Sequence, residues 1–246
     1  MTAFKLHNVT LGYEGHPAVH HLDGEMAVGS LTAVVGPNGS GKSTLLKGLC
    51  GAVAPLSGHI DRSGFGIRDI AYLPQVNEID RSFPATVEDL VTLGHWRRRG
   101  LFAAIRQEDR SSVRQALTGV GLDGLQSRPI DTLSGGQLQR ALFARVLLQD
   151  AKIILLDEPF TAIDSKTASD LIDLVRRWHR ERRTIVAVLH DIDLVREHFP
   201  ETVLLAREPV AWGRTGDALN PENLLKARRM NEAWDGDAPW CEARIA

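Results

Sequence analysis

The chain has 246 residues, enough to bury a full hydrophobic core as one large domain or as a core with an inserted subdomain. Its net charge of −2 gives no general reason to expect affinity for nucleic acid or for a bilayer surface. No apolar run approaches the roughly 20 residues that span a bilayer, and the two cysteines, Cys50 and Cys241, form no metal-ligand pattern and fit a reducing compartment.

The N-terminal stretch FKLHNVTLGY alternates in part and is interrupted by charge and Asn, so it reads as a half-exposed antiparallel strand and not as a signal peptide. In HLDGEMAVG, Leu22, Met26 and Val28 fall on one parity, which predicts a second such strand. LTAVV then begins a different kind of element, a short continuous apolar run suited to a parallel strand covered on both faces. IILLD at 153–157 and TIVAVLH at 184–190 have the same character. Between 86 and 149 a 3.6-residue period recurs with no convincing buried strand. Ala168, Leu171, Ile172, Val175 and Trp178 make a further helical stripe. The tail MNEAWDGDAPWCEARIA is broken by Pro, Gly and Asp and reads as an irregular extension. The pattern predicts an α/β core, an antiparallel β element in front of it and a helical insertion in its middle, with no internal repeat.

GPNGSGKST at 36–44 follows a buried strand and precedes a helix, the context in which G-x-x-x-x-G-K-[ST] binds phosphate. Gly36, Pro37, Asn38, Gly39, Ser40 and Gly41 form a tight loop whose N–H groups can converge on phosphate oxygens. The helix that follows, opening through Thr44, adds positive potential. Lys42 is placed to neutralise the terminal phosphates and Ser43 to ligate Mg²⁺. In IILLDEP, Asp157 ends a buried strand and can hold that Mg²⁺ through a water. Glu158, next in line, can orient and deprotonate an attacking water. LSGGQLQR at 133–140 places Ser134 and two glycines at another helix N-terminus, with Leu138, Leu142 and Leu148 keeping an apolar face.

With this last motif the sequence resembles the ATP-binding cassette (ABC) family, over about residues 1–228. Tyr13, the phosphate loop, Gln75, LSGGQ, IILLDEP, TAID and VLHD occur in the family's order. The resemblance implies a P-loop NTPase (RecA-like) α/β core at 1–76 and 151–230, a helical subdomain at 77–150 and a C-terminal extension at 231–246, all one nucleotide-binding domain. It implies ATP and Mg²⁺ as cofactors. Tyr13, otherwise an ordinary strand aromatic, would stack on adenine. Gln75 would touch Mg²⁺ and the attacking water, and His190 would contact the γ-phosphate. Ser134, Gly135, Gly136 and the adjoining Gln137 would close over the ATP of a second subunit, and Asp164 would cross the dimer interface. Hydrolysis would then need a head-to-tail homodimer with two ATPs between its subunits.

Among ABC proteins, a single cassette without membrane helices or a long coiled-coil insertion fits the ATPase subunit of a bacterial importer. Such a subunit sits peripherally at the cytoplasmic face of the inner (cell) membrane and contacts a solute-binding protein only indirectly. The stretch from Gln75 to Gly94 resembles the metal-importer ATPases, and the expected cargo is zinc first and manganese second. Iron-siderophore or vitamin import and a soluble non-transport ATPase are the alternatives. In that segment Thr86 is placed to cap a helix buried through Val87, Leu90 and Val91. Phe83 and the residues to Gly94 would meet the integral-membrane permease, or Phe83 would staple its own helix. No nucleic-acid partner is expected. In HPAVHH, His20 and His21 are adjacent, so on a strand they point to opposite faces and do not chelate together; with His16 they read as a polar strand edge. The run HWRRRG at 95–100 reads as a solvated loop.

Overall fold

The structure, a computed structural model, describes residues 1–96, 106–161 and 163–232. The arginines of the 95–100 run, Ala162 of TAID and the tail from 233 lie outside these residues. The chain divides into two compact units, Met1–Ile67 with Val186–Ala246, and Arg68–Ile185.

In the first unit β1 (Thr2–Tyr13), β2 (His16–Ala27) and β4 (Ser57–Asp61) form an antiparallel sheet in the order β2-β1-β4. Bulges between Leu6 and Val9 and again near Leu11 shift the β1–β2 register, so strict alternation fails and Val9, Thr10 and Leu11 are all buried. Leu22 and Met26 are fully buried as their parity predicts; Val28 is exposed because the strand has already ended at Ala27. β3 (Leu31–Val35) is buried throughout. It pairs in parallel with β8 (Glu201–Ala206), which pairs in antiparallel with β9 (Glu208–Arg214). The helix α1 (Lys42–Leu49) lies so close to β1 that a Cβ on Gly48 would meet the Leu11 side chain at 2.6 Å. The unit also holds α6 (Ile192–His198), α7 (Thr215–Ala218) and α8 (Pro221–Glu232).

In the second unit β5 (Ile70–Leu73) and β6 (Ile153–Asp157) are parallel neighbours, Leu73 opposite Leu156. Among the described residues, α2 (Val87–Thr92), α3 (Gln107–Gly119) and α4 (Gly135–Gln149) stand between them in sequence. α4 packs on α2 and α3 and against β5. After β6, α5 (Ser165–Arg180) buries Leu171, Ile172, Leu174, Val175 and Trp178, and the Trp178 ring stacks 5.9 Å from Phe143 of α4. The buried strand β7 (Thr184–Val188) carries the chain out of this unit.

Candidate active site

The loop between β3 and α1 is shaped by what its backbone must avoid. A Cβ on Gly36 would lie 1.9 Å from the Leu205 carbonyl oxygen, and Gly41, with φ 89° at the N-cap of α1, sits where a Cβ would strike Val19 and the Ala18 carbonyl. Only glycine fits both places. Lys42 is 6% exposed, and its ammonium donates to the carbonyls of Gly36 (3.0 Å) and Pro37 (2.7 Å), so its charge is folded over the loop. The first turn of α1 carries no acidic residue to offset its positive end. Ser40 is fully buried and its Oγ has no hydrogen-bond partner among the described residues. A buried cation, an uncompensated helix N-terminus and an orphaned hydroxyl together fit a polyphosphate. Ser43 is half-buried in α1's first turn, and Thr44 is buried beside it.

Sequence reasoning missed how this loop is anchored. Arg207, in a left-handed conformation (φ 64°) between β8 and β9, donates its N–H to the Ser40 carbonyl (3.1 Å) and accepts from the His20 N–H (2.7 Å). His20 is 5% exposed, and burial holds its imidazole below the usual range; Arg207 and His21 push the same way and Glu208 opposes them. His16 is exposed, and His21 Nδ1 sits 2.7 Å from Asn8 Oδ1. Among the described residues no group of three His, Cys, Asp or Glu is arranged to hold a metal ion. Tyr13, at the end of β1, is 49% exposed. His190 is exposed just beyond β7, and the next residue, Asp191, caps α6 by accepting from the N–H groups of Asp193 and Leu194.

In the second unit the parallel pairing of Leu73 with Leu156 carries Gln75 and Glu158, each two residues further on, to the same sheet end. There the Gln75 amide donates to Glu158 Oε1 at 2.9 Å. Asp157 is fully buried and accepts from the Tyr72 hydroxyl at 3.1 Å. A recess of about 100 Å³ opens over this pair, lined among others by Asn77, Arg81, Gly135 and Thr161. The Asp157 carboxylate offers hard oxygen donors of the kind that suit Mg²⁺.

The LSGGQ residues are occupied locally. Ser134 Oγ accepts from the Gln137 N–H at 3.2 Å while Gln137 Oε1 accepts from the Ser134 N–H at 3.1 Å, a reciprocal cap on α4. Gly135 lines the recess beside Glu158, and Gly136 faces Asp164 and Thr167. Asp164 caps α5; bonds from the Thr167 hydroxyl (2.7 Å) and N–H (2.9 Å) hold its carboxyl below the usual range. Thr86 caps α2 in a reciprocal bond with Asp89, over buried Val87, Leu90 and Val91. Phe83 does not staple that helix: it is 66% exposed on the rim of an open recess of about 350 Å³ that also includes Pro84 and Pro129.

The family model described as ABC transporter matches residues 19–161. The chain is 40% identical over 225 residues to the manganese transport system ATP-binding protein MntA of Synechocystis sp., with 85% of this chain and 86% of that protein covered. It is 35% identical over 230 residues to the manganese transport system ATP-binding protein MntB of Bacillus subtilis, with 92% of each covered. Among solved structures it is similar to a chain of a metal-chelate type ABC transporter in an inward-facing conformation. There the TM-score is 0.82 and the identity 30%, over 93% of this chain and 90% of that one.

Proposed function

The chain belongs to the ABC transporter family and carries its ATPase domain, and from that premise we propose that it is the ATP-hydrolysing subunit of a metal importer whose cargo is manganese. The observation that carries this reading is the likeness to two manganese-transport subunits along most of both chains. Zinc, placed first by the sequence reading, falls behind manganese because neither of those names refers to it. A metal chelate is the second reading, supported by the likeness to a metal-chelate type transporter.

In this proposal the N–H groups of residues 36–41, Lys42 and the first turn of α1 hold the phosphates of ATP, and Tyr13 holds adenine. Ser43, Gln75 and Asp157 supply oxygens to Mg²⁺, whose chemistry is to offset charge on the phosphates. Glu158 orients a water and takes its proton. The Gln75 amide donates to Glu158 Oε1 and the Thr161 hydroxyl donates to Oε2 at 3.4 Å, so the surrounding chain orients both oxygens of the base. His190 contacts the γ-phosphate. Ser134 to Gln137 close on the nucleotide of a second copy and Asp164 meets that copy, so that two subunits and two ATPs form the working unit. Residues 77–150 act as the helical subdomain inserted in the core of 1–76 and 151–230. The Phe83–Pro84 rim meets an integral-membrane permease, which keeps the subunit peripheral at the cytoplasmic face of the membrane.

The test is Glu158→Gln. ATP binding is expected to persist, turnover to fall by about 10²–10⁴-fold, the general-base contribution, and the protein to elute as a dimer only with Mg-ATP. In cells carrying this variant, uptake of radioactive manganese should stop while zinc uptake continues. Unchanged manganese uptake would overturn the cargo, and a monomer under all conditions would overturn the composite site.

A further inference from the structure

The second glutamine of LSGGQLQR, Gln139, is 1% exposed in the N-terminal half of α4. Its amide nitrogen donates to the Pro159 carbonyl at 2.8 Å. Its Oε1 is buried with no partner among the described residues. A polar side chain so placed costs stability unless its one bond matters. The bond ends on the residue that follows Glu158.

Glu158 is where the backbone needs help. Its φ is 48°, in the left-handed region, where a Cβ crowds the following carbonyl oxygen. The residue after it is proline, whose ring further restricts the backbone of the residue before it. Such a conformation persists only where the surroundings over-determine it. Pro159 has no N–H, so among its backbone groups only the carbonyl is available to grip, and Gln139 grips it. One residue along α4, Arg140 reaches Thr167 Oγ1 (3.0 Å) and Asp170 Oδ2 (3.0 Å) at the start of α5, beside the Asp164 cap. The helix that begins at Ser134 is therefore bonded to the chain directly after Glu158 and again where α5 begins.

We propose that Gln139 is a positioning residue for Glu158: through the Pro159 carbonyl it holds the strained backbone that aims the carboxylate, and it transmits displacements of the N-terminal half of α4 to that carboxylate. This inference rests on the reading of Glu158 as the general base. In each subunit the helix presented to the partner's nucleotide would then also set the aim of the subunit's own base.

The experiment compares two variants that remove the donor, Gln139→Met, which keeps the length of the side chain, and Gln139→Leu, which shortens it. Steady-state kcat, Mg-ATP affinity and thermal midpoint are measured for each, alone and combined with Glu158→Gln. The expected result is a fall in kcat of about 10- to 100-fold, the size of effect that misplacing a catalytic group by about 1 Å produces. ATP affinity should be unchanged, and Gln139→Met should cause no further loss in the Glu158→Gln background, because residues acting as a unit are non-additive. Three results would overturn it: unchanged kcat in both variants, a fall that persists in full on Glu158→Gln, or a loss that tracks ATP affinity or melting. If Glu158→Gln itself turns over like the wild type, the base assignment fails; if it is inactive while the Gln139 variants are fully active, only the positioning role fails.

Discussion

The phosphate loop and the loop that carries Glu158 do comparable work and are built in opposite ways. Residues 36–41 are shaped by local sterics, with glycines where a Cβ would enter the Leu205 carbonyl or the β2 backbone, and Lys42, which opens α1, bonds back onto the loop. Glu158 is an ordinary residue in a conformation that favours glycine, and side chains from β5, the turn after it and α4 bond to Asp157, to Glu158 itself and to Pro159. The first design is intolerant of added volume. The second is intolerant of lost hydrogen bonds.

Gly36→Ala is the severest way to challenge this contrast. A methyl 1.9 Å from a backbone oxygen cannot be relieved by turning a side chain. The cost should exceed the roughly 1–3 kcal/mol of an ordinary overpacked core, with ATP binding lost, as a fluorescent nucleotide titration would read. Retention of near-normal affinity would mean that the loop yields as a unit and that steric demand does not define it.

Tyr72→Phe is the matching probe for the other loop, and its effect should be smaller. It removes no volume to speak of, only the hydroxyl that donates to buried Asp157. Hydrogen bonds to charged groups contribute about 1.5–3 kcal/mol, so urea unfolding should report a loss of that order while ATP still binds. No loss would show that side-chain bonds do not hold this loop in place.

The same contrast explains what could be read from the sequence. The phosphate loop was legible because its chemistry is contiguous: strand, glycines, lysine and helix follow one another and obey short-range rules. The buried strands β3, β6 and β7 and the buried stripe of α5 were legible for the same reason. Tyr72–Asp157 and Gln75–Glu158 depend instead on β5 lying parallel to β6, and β5 is only four residues, IAYL, too short for a periodicity to declare itself. β4 was hidden because SGHID is almost entirely exposed, and β9 because Pro209 and Gly213 interrupt it. Gln139 lies within LSGGQLQR, but nothing in a helical sequence says that one glutamine reaches a carbonyl twenty residues away.

The smallest effect tests whether the phosphate loop is as self-contained as its sequence implies. Its Ser40 carbonyl is held by the Arg207 N–H, and the Arg207 carbonyl by the N–H of His20. The His20 imidazole is buried, and desolvation disfavours its charged form; Glu208 offsets this in part, and His21 and then Arg207 add to it. An unfolded histidine titrates at about 6.5, so below that value the unfolded chain takes up a proton that folded His20 resists. Stability is then fully present above about pH 6.5 and is lost as pH falls through the lowered folded value, because the unfolded state binds more protons across that window. His20→Leu removes the titrating group while keeping the backbone N–H that holds Arg207. Between pH 7.5 and 5.5, thermal melts should therefore show a larger loss for the wild type than for the variant. Mg-ATP affinity of the variant at pH 7.5 should match the wild type, where His20 is already neutral. Equal losses in the two proteins would remove His20 from the pH response. A drop in affinity at pH 7.5 would show that the phosphate loop, like the Glu158 loop, depends on a side chain outside it.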